Sequence, residues 1–332
     1  MLKVAINGFG RIGRAALRLL IDDKDVEVVA INGTTDPKQH AYLYKYDSAH
    51  RTIKYKVSYD DENIIVKGKK IKVYKEQEPI NLPWKKLGID VVLECTGVFT
   101  SSEDCEAHIK AGAKHVIISA PAKDDVTKTI VYGVNHETLS KSDKIISAAS
   151  CTTNCLAPIV KALDDKYGVV KGFMTTIHAI TNDQSTLDVK HKKGIESRRG
   201  RASFVNIIPT STGAASQIGK VIPHLAGKMD GVAYRVPTCD GSVVDLVVEL
   251  KKNVTKENVN NMLKSNQNKT LKFTMDPIVS SDIIGELCGG MVDGLLTNVV
   301  ESDGKQLVKV VAWYDNELGY TAQMIRTMKL FI

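Results

Sequence analysis

The glycine-rich segment Gly8-Phe9-Gly10-Arg11-Ile12-Gly13 follows the apolar run Leu2–Asn7 and opens a helical pattern over Arg11–Asp22. In such a strand-turn-helix unit, the first glycine permits a tight turn and the second lets the backbone approach a pyrophosphate. The third lets the helix pack closely on the strand. The start of the helix then offers free N–H donors and a positive dipole to phosphate groups. In this context the pattern predicts a dinucleotide site, with a purely structural turn as the alternative.

Further apolar runs extend this alternation of strands and helices over the first 150 residues. Strands that alternate with helices imply parallel βαβ units. We therefore predict an α/β fold in which residues 1–150 form a dinucleotide-binding domain with a doubly wound parallel sheet of the Rossmann type. The polar, turn-rich segment Arg51–Pro83 indicates an antiparallel excursion from this sheet. The other predicted strands are Glu27–Asn32, Val91–Glu94, His115–Ser119 and Lys144–Ala148.

The sequence pattern changes after residue 150. A helix is predicted over Cys155–Lys166, followed by strands rich in β-branched and aromatic residues. The segment Thr181–Ser203 is basic and has no clear period, which is typical of a functional or mobile loop. We predict an α+β catalytic domain with a mixed or antiparallel sheet over 151–315, and a helix within 316–332 that completes the first domain. The predicted strands are Gly172–His178, Gly231–Thr238, Val243–Leu250 and Val308–Trp313.

Length and composition restrict the class of protein. The 332 residues are 43% hydrophobic and 25% charged, as expected for a globular chain of two domains. No apolar run approaches the ~18–20 residues that cross a bilayer, and the N-terminus has no signal-peptide pattern. We therefore expect a cytoplasmic protein with no membrane partner. The six cysteines include no C-x-x-C pair, so free thiols and no metal site are expected.

The net charge of +7 suits nucleic acid and phosphorylated small molecules equally well. The basic residues of Thr181–Ser203 have no interleaved aromatic residues, which single-stranded nucleic acid needs for base stacking. Anionic small molecules are thus the preferred ligands, with a merely solvated loop as the alternative, and no nucleic acid is required. The basic residues of this segment are Lys190, His191, Lys192, Lys193, Arg198, Arg199 and Arg201.

A candidate nucleophile lies in Ser150-Cys151-Thr152-Thr153-Asn154-Cys155, between a predicted strand and a predicted helix. A helix N-terminus favours the thiolate form of Cys151. His178 ends an apolar strand and is the leading candidate for its base, although a lone histidine there is more often structural. Beside a dinucleotide, the thiolate can add to an aldehyde, and the hemithioacetal can pass hydride to a nicotinamide while His178 takes the hydroxyl proton. Water or phosphate could then cleave the thioester.

The end of the second predicted strand lacks an acidic residue. The dinucleotide fingerprint places an acid about 20 residues after the glycines, where it binds the ribose 2′-hydroxyl. Gly33 stands at this place, followed by Thr34 and Thr35. A carboxylate would repel a 2′-phosphate, so its absence favours NADP. The alternative is that Gly33 only makes a turn and that Asp36 replaces the acid.

Together these segments resemble the phosphorylating glyceraldehyde-3-phosphate dehydrogenases, over essentially the whole chain. The resemblance implies reversible oxidative phosphorylation of D-glyceraldehyde 3-phosphate to 1,3-bisphosphoglycerate, with inorganic phosphate and NAD or NADP. It also implies a homotetramer whose basic loop reaches the cofactor of a neighbouring subunit. The motifs that carry it are Asn7–Arg14, Ser150–Cys155, Pro209–Ala215, Arg235–Pro237 and Trp313–Glu317.

The resemblance also implies roles for single residues. Cys151 would be the nucleophile, His178 its base, and Thr181 and Arg235 the ligands of the substrate's phosphate. The residues around the inorganic phosphate would be Ser150, Thr152, Arg199, Thr212 and Gly213. The choice between Arg199 and Arg201 at this site stays open. The resemblance implies that Thr96 and Ser119 line the cofactor cleft and that Asn316 holds the nicotinamide carboxamide. The other predicted cofactor residues are Gly8, Gly10, Arg11, Ile12, Gly13, Gly33, Thr34, Thr35, Gln77 and Lys190.

Three positions depart from the family's NAD-preferring pattern. Gly33 replaces an aspartate, and Val189-Lys190 replaces a leucine-proline pair; both changes favour a 2′-phosphate. Gln77 stands where an arginine is often found, and its effect is ambiguous. We expect NADP to be used, either preferentially or alongside NAD.

Two other functions compete with this one. A dehydrogenase of another phosphorylated aldehyde, such as erythrose 4-phosphate, is disfavoured by Ser211–Ala215, whose small residues expose backbone N–H groups to inorganic phosphate. A non-catalytic nucleotide- or RNA-binding protein of the same fold is disfavoured because a binding module needs neither Cys151 nor His178.

Overall fold

The computed structural model describes residues 1–192 and 194–332, so Lys193 of the basic segment lies outside the described residues. The chain divides into two compact units, and the predicted division at residues 150 and 315 stays a prediction. The first unit comprises Met1–Ile130, His136–Ala149 and Met324–Ile332, and the second comprises Val131–Asn135 and Ser150–Gln323. Within the described residues, no helix is both long and apolar enough to cross a bilayer.

The first unit contains a sheet with helices between its strands. Its elements are β1 (Leu2–Asn7), α1 (Arg11–Leu20), β2 (Val26–Asn32), α2 (Pro37–Lys45), β3 (Val57–Tyr59), β4 (Asn63–Val66), β5 (Lys69–Tyr74), α3 (Trp84–Leu87), β6 (Val91–Glu94), α4 (Ser102–Lys110), β7 (His115–Ile118), β8 (Lys128–Thr129) and β9 (Ile145–Ser147).

The strand order in this sheet is β3-β4-β5-β2-β1-β6-β7-β9-β8. β1 pairs in parallel with both β2 and β6, and its apolar residues are buried, as is usual for a central strand covered on both faces. The chain then makes antiparallel pairs through β3, β4 and β5 before β5 rejoins β2 in parallel. The predicted Rossmann-type parallel sheet is confirmed.

Two glycines of the turn after β1, Gly8 and Gly13, have no room for a side chain. Gly8 has φ +92°, and a Cβ there would lie 2.6 Å from the backbone nitrogen of Thr96. A Cβ on Gly13 would lie 2.2 Å from the carbonyl oxygen of Gly8. These two positions require glycine because the start of α1 packs directly against the turn and the neighbouring strand end.

The second unit contains a mixed sheet. Its elements, with the last helix of the chain, are α5 (Cys151–Tyr167), β10 (Val169–Ala179), β11 (Ile208–Ser211), α6 (Ile218–Val221), β12 (Met229–Val236), β13 (Ser242–Leu250), α7 (Lys256–Ser265), β14 (Leu271–Thr274), β15 (Gly290–Asp293), β16 (Asn298–Ser302), β17 (Lys305–Tyr314) and α8 (Leu318–Met328).

The order in this second sheet is β11-β12-β10-β13-β17-β15-β14, and β16 pairs with β17. β10 is parallel to β12 and antiparallel to β13, which confirms the predicted mixed sheet. α5 begins four residues before its predicted start, at Cys151, because the Ser150 side chain caps it by accepting a hydrogen bond from the Thr153 N–H at 3.0 Å. The described part of Thr181–Ser203 contains one short 3₁₀ turn, at Arg198–Gly200.

Candidate active site

Cys151 and His178 form a close pair in the second unit. Cys151 is the first residue of α5, and His178 is the last but one of β10. The Cys151 Sγ atom lies 3.3 Å from His178 Nε2. Since a nucleophile and its base must lie within hydrogen-bond reach, this contact allows the thiol proton to pass to the imidazole.

The other ring nitrogen of His178 determines which tautomer is present. Nδ1 lies 2.7 Å from the carbonyl oxygen of Ala179, which can only accept a hydrogen bond, so Nδ1 carries the proton. The lone pair is therefore on Nε2, facing Sγ of Cys151. Arg235 Nη1 donates to the same carbonyl at 3.1 Å and to Thr181 Oγ1 at 2.9 Å. These bonds hold the ring in the orientation of a base.

Burial and charge hold this pair in its neutral form. Burial lowers the pKa of His178 to about 3, and the adjacent Arg235 guanidinium adds to this effect. Burial raises the pKa of the Cys151 thiol, against the lowering influence of Arg235 and of hydrogen bonds from Thr152. The helix N-terminus was expected to favour a resting thiolate. The raised pKa of the thiol means that its proton must move to His178 when Cys151 reacts.

Cys155, one helical turn further along α5, is inaccessible. Its side chain is fully buried, and Sγ lies 4.0 Å from the carbonyl oxygen of Ala312. A Cβ on Gly290 would lie 2.7 Å from the same sulfur. Burial raises the pKa of Cys155 well above its ordinary value. Cys151, which is half-buried, is thus the thiol of this helix that a substrate can reach.

The predicted ligands of the substrate's phosphate lie together beside His178. Arg235 is the partner of His178 in the parallel register of β10 and β12, and it donates to Thr181. The Thr181 hydroxyl donates in turn to the carboxylate of Asp183, which is also paired with Arg199. Asp183 therefore links the two arginines that the sequence assigned to two phosphates.

The structure also separates Arg199 from Arg201. Arg199 Nε donates to Thr210 Oγ1 at 3.0 Å, at the start of the chain segment that leads to Thr212. Arg201 forms a salt bridge with Asp188 at 3.0 Å, and its side chain is 65% exposed. Of these two arginines, Arg199 is the one that belongs to the cluster around Asp183.

The other predicted phosphate ligands lie in two places. Ser150 and Thr152 flank Cys151, and the Thr152 hydroxyl lies 2.9 Å from the Tyr314 hydroxyl. Thr212 and Gly213 follow β11, where Thr212 Oγ1 accepts a hydrogen bond from the Ala214 N–H at 3.2 Å. Local hydrogen bonds thus orient the hydroxyl groups of Ser150 and Thr212, whereas a long-range contact with Tyr314 orients that of Thr152.

Asn316 is held by two hydrogen bonds in the second unit. Its Oδ1 accepts from Ser242 Oγ at 2.6 Å, and its backbone N–H donates to Asp240 at 3.2 Å. Because the amide oxygen faces Ser242, the amide nitrogen points the other way. This orientation offers N–H donors, which suit a carboxamide oxygen.

A cavity of about 990 Å³ lies at the carboxyl ends of β1, β2 and β6 in the first unit. This is where open parallel sheets bind dinucleotides. The Asn32 side chain donates a hydrogen bond to Asn7 at 2.7 Å, and the Asn7 amide donates one to the buried carboxylate of Glu94. These hydrogen bonds connect the ends of β2, β1 and β6. Nothing lies within 4 Å of the position of a Cβ on Gly10, so the glycine turn has room for a pyrophosphate at this residue. The predicted residues that line it are Gly8, Gly10, Gly33, Thr34, Thr35, Gln77 and Thr96.

Other predicted cofactor residues lie elsewhere. Arg11 forms a two-pronged salt bridge with Asp47, at 2.8 and 3.1 Å. Ile12 is half-buried in the first turn of α1, Ser119 follows β7, and Lys190 is exposed in the basic segment of the second unit.

The acidic residues near Gly33 differ in position, because one caps a helix and two line the cavity. The Asp36 side chain accepts a hydrogen bond from the Gln39 N–H at 2.8 Å and caps α2, which opposes its use as the replacement acid. Glu76 and Glu78 line the cavity and bring negative charge to it.

Sequence reasoning missed three residues. Asp183 could have been noticed as an acid within a basic segment. Tyr314 belongs to a quoted motif, but its bonds to Thr152 and to Thr176, both 2.9 Å, depend on strand packing. His40, which lies against Gly33, gave no signal.

Comparison with known proteins agrees with this geometry. Residues 2–102 match the family model described as glyceraldehyde 3-phosphate dehydrogenase, NAD binding domain, and residues 150–316 match the corresponding C-terminal domain. Glyceraldehyde-3-phosphate dehydrogenases of Clostridium pasteurianum and Clostridium acetobutylicum are each 55% identical over 331 residues, 100% of this chain and 98% of theirs. That of Streptococcus pyogenes is 51% identical over 332 residues, with the same coverage of both chains.

Proposed function

Since the chain belongs to the glyceraldehyde-3-phosphate dehydrogenase family, we propose that Cys151 and His178 carry out the phosphorylating oxidation of D-glyceraldehyde 3-phosphate to 1,3-bisphosphoglycerate. The oxidoreductase function follows from the full-length similarity to enzymes of that name. The observation that supports the residue roles is the 3.3 Å contact between Cys151 Sγ and the unprotonated Nε2 of His178.

Each proton has a place in this scheme. His178 Nε2 takes the thiol proton as Cys151 Sγ attacks the aldehyde carbon, and returns it to the oxyanion to give a hemithioacetal. His178 then takes the hydroxyl proton as hydride leaves, and a thioester remains on Cys151. The bound nicotinamide supplies the hydride acceptor. A phosphate oxygen attacks the thioester carbonyl and displaces the Cys151 thiolate.

The arginines supply the anion binding that this scheme needs. Arg235 and Thr181, 2.9 Å apart, would hold the phosphate of the substrate. Arg199 with Thr212 and Gly213, and Ser150 with Thr152 beside Cys151, would hold the attacking phosphate. Arg235 has a second effect: burial is the main cause of the lowered pKa of His178, and the charge of Arg235 adds to it, so the ring stays neutral and able to accept a proton.

The cofactor proposal is that the cavity of the first unit accepts NADP as well as NAD. Gly33 brings no carboxylate, and Thr34 and Thr35 line the cavity with hydroxyl donors. Asn316 would hold the carboxamide, and Lys190 of a neighbouring subunit would add positive charge. The homotetramer is proposed from the resemblance, and the cytoplasmic location stays a prediction made from the sequence.

The test is a steady-state assay with glyceraldehyde 3-phosphate, in which cofactor and phosphate are varied. Without phosphate or arsenate, oxidation should stop after about one turnover per Cys151, and erythrose 4-phosphate should be the poorer substrate. Equal rates over many turnovers without phosphate would mean a hydrolytic enzyme. A wild-type preference for NAD of 100-fold or more, on the order of 3 kcal/mol, contradicts the use of NADP.

A further inference from the structure

His40, in α2, lies directly against Gly33. The ring is 4% exposed and meets the ring of Phe9 edge to face, with centroids 5.3 Å apart. Its nearest ring atom to residue 33 is Nε2, which lies 2.5 Å from the position that a Cβ on Gly33 would take. The imidazole therefore occupies the space that a side chain at position 33 needs.

This space has a functional meaning in a dinucleotide site. In such folds the residue at the end of the second strand sends an acidic side chain to the ribose 2′-hydroxyl. Here Gly33 and His40 both line the cavity. A ring nitrogen thus stands where the side chain of the acid would begin.

The two ring nitrogens of His40, Nδ1 and Nε2, have no hydrogen-bond partner in the part of the chain that the structure describes. Buried polar groups are normally paired, and an apolar side chain would fill the same space without leaving two such atoms unpaired. The imidazole is therefore better explained by a ligand than by packing.

The charges around the ring suit an anion. Arg14 and Lys75 line the same cavity, and both act with burial to lower the pKa of His40 to about 4, while Asp36 opposes them. At neutral pH the ring is uncharged, with one N–H donor and one acceptor. A donor in a cavity that Arg14 and Lys75 also line suits the 2′-phosphate better than a hydroxyl group, even with Glu76 and Glu78 at the cavity wall.

We propose that His40 recognises the 2′ position of the adenosine ribose by donating a hydrogen bond from Nε2 to the 2′-phosphate of NADP. Gly33 is required because any side chain there collides with the ring. The inference rests on the proposed use of NADP. It adds that residues 33 and 40 act together, so restoring the acid at position 33 alone does not restore NAD recognition.

The first test is equilibrium titration of wild type, His40→Leu and His40→Gln with NAD and with NADP. His40→Leu should raise the Kd for NADP by on the order of 10-fold or more, the range of a lost charge-assisted hydrogen bond, and leave the Kd for NAD nearly unchanged. His40→Gln, which keeps a donor, should recover most of the NADP affinity. Equal weakening of both cofactors by His40→Leu would mean that the ring only fills space.

The second test introduces the acid. Gly33→Asp should lower Tm and weaken both cofactors, because Cβ meets the ring at 2.5 Å. The double variant with Gly33→Asp and His40→Ala should bind NAD more tightly than the single variant His40→Ala. Thr34→Asp is the matched control for stability alone, since it adds the same charge at an exposed position and, without cofactor, should keep the wild-type Tm. Tighter NAD binding and an unchanged Tm in Gly33→Asp alone would contradict the proposed collision between a side chain at position 33 and the His40 ring.

The two proposals fail in different ways. A wild type that binds NAD about 100-fold more tightly than NADP overturns the proposed use of NADP. A wild-type preference for NADP that His40→Leu leaves unchanged overturns only the role of His40.

Discussion

The Nη1 atom of Arg235 lies 3.1 Å from Nδ1 of His178, and both nitrogens direct a hydrogen to the carbonyl oxygen of Ala179. The arginine that is proposed to hold the substrate's phosphate therefore adds to the effect of burial on the pKa of the base. An anion bound at Arg235 reduces its effect on His178 and raises the pKa of the imidazole.

Arg235→Gln should raise the pKa of His178 from about 3 towards its ordinary value of 6.5, because it removes the adjacent positive charge. Below its pKa, His178 is protonated and cannot accept the thiol proton, so the acid limb of Cys151 alkylation should move to higher pH. Iodoacetamide labelling as a function of pH measures this. Arg201→Gln, in the exposed pair with Asp188, is the control and should keep the wild-type profile. An identical profile in Arg235→Gln would contradict the coupling.

Cys151→Ser should abolish turnover, because a serine hydroxyl is a much weaker nucleophile beside the same base. Cys155→Ser should mainly lower stability, since it places a hydroxyl in a fully buried site. Assays with glyceraldehyde 3-phosphate and thermal melts of both variants separate the two roles. Loss of turnover in Cys155→Ser with most of it kept in Cys151→Ser would reverse the assignment.

His178→Asn should slow turnover by roughly 10²–10⁴-fold, the usual contribution of a general base. Thiol alkylation at neutral pH should slow as well, because Cys151 loses its proton acceptor. His115→Asn is a suitable control, since that ring stacks on Phe331 in the first unit, with centroids 4.1 Å apart. A pH–rate profile of His178→Asn equal to that of the wild type would contradict the assignment of His178 as the base.

Arg235→Ala should raise the KM for the aldehyde more than that for inorganic phosphate, and Arg199→Ala should do the reverse. Asp183→Asn should raise both constants, because Asp183 contacts Thr181 as well as Arg199. Initial rates measured with the aldehyde varied, and then with inorganic phosphate varied, give both KM values for each of the three variants. Equal changes in both constants for the two arginine variants would mean one shared anion site.

Local features were readable from the sequence. The strand before Gly8, the glycine turn and the start of α1 follow from apolar periodicity and from the steric demands of three glycines. The position of Cys151 beside a capping Ser150 is equally local. These features depend on residues that are neighbours in the chain, so backbone geometry and side-chain pattern are enough to predict them.

Contacts between distant residues required the tertiary structure. The register of β10 and β12 sets Arg235 beside His178, and the hydrogen bond to Ala179 then selects the tautomer. Burial, which no local pattern reports, raises the pKa of the Cys151 thiol. The turn from β2 into α2 sets the His40 ring against Gly33. Strand register, burial and the path of the chain are properties of the folded molecule, so no local pattern in the sequence reports them.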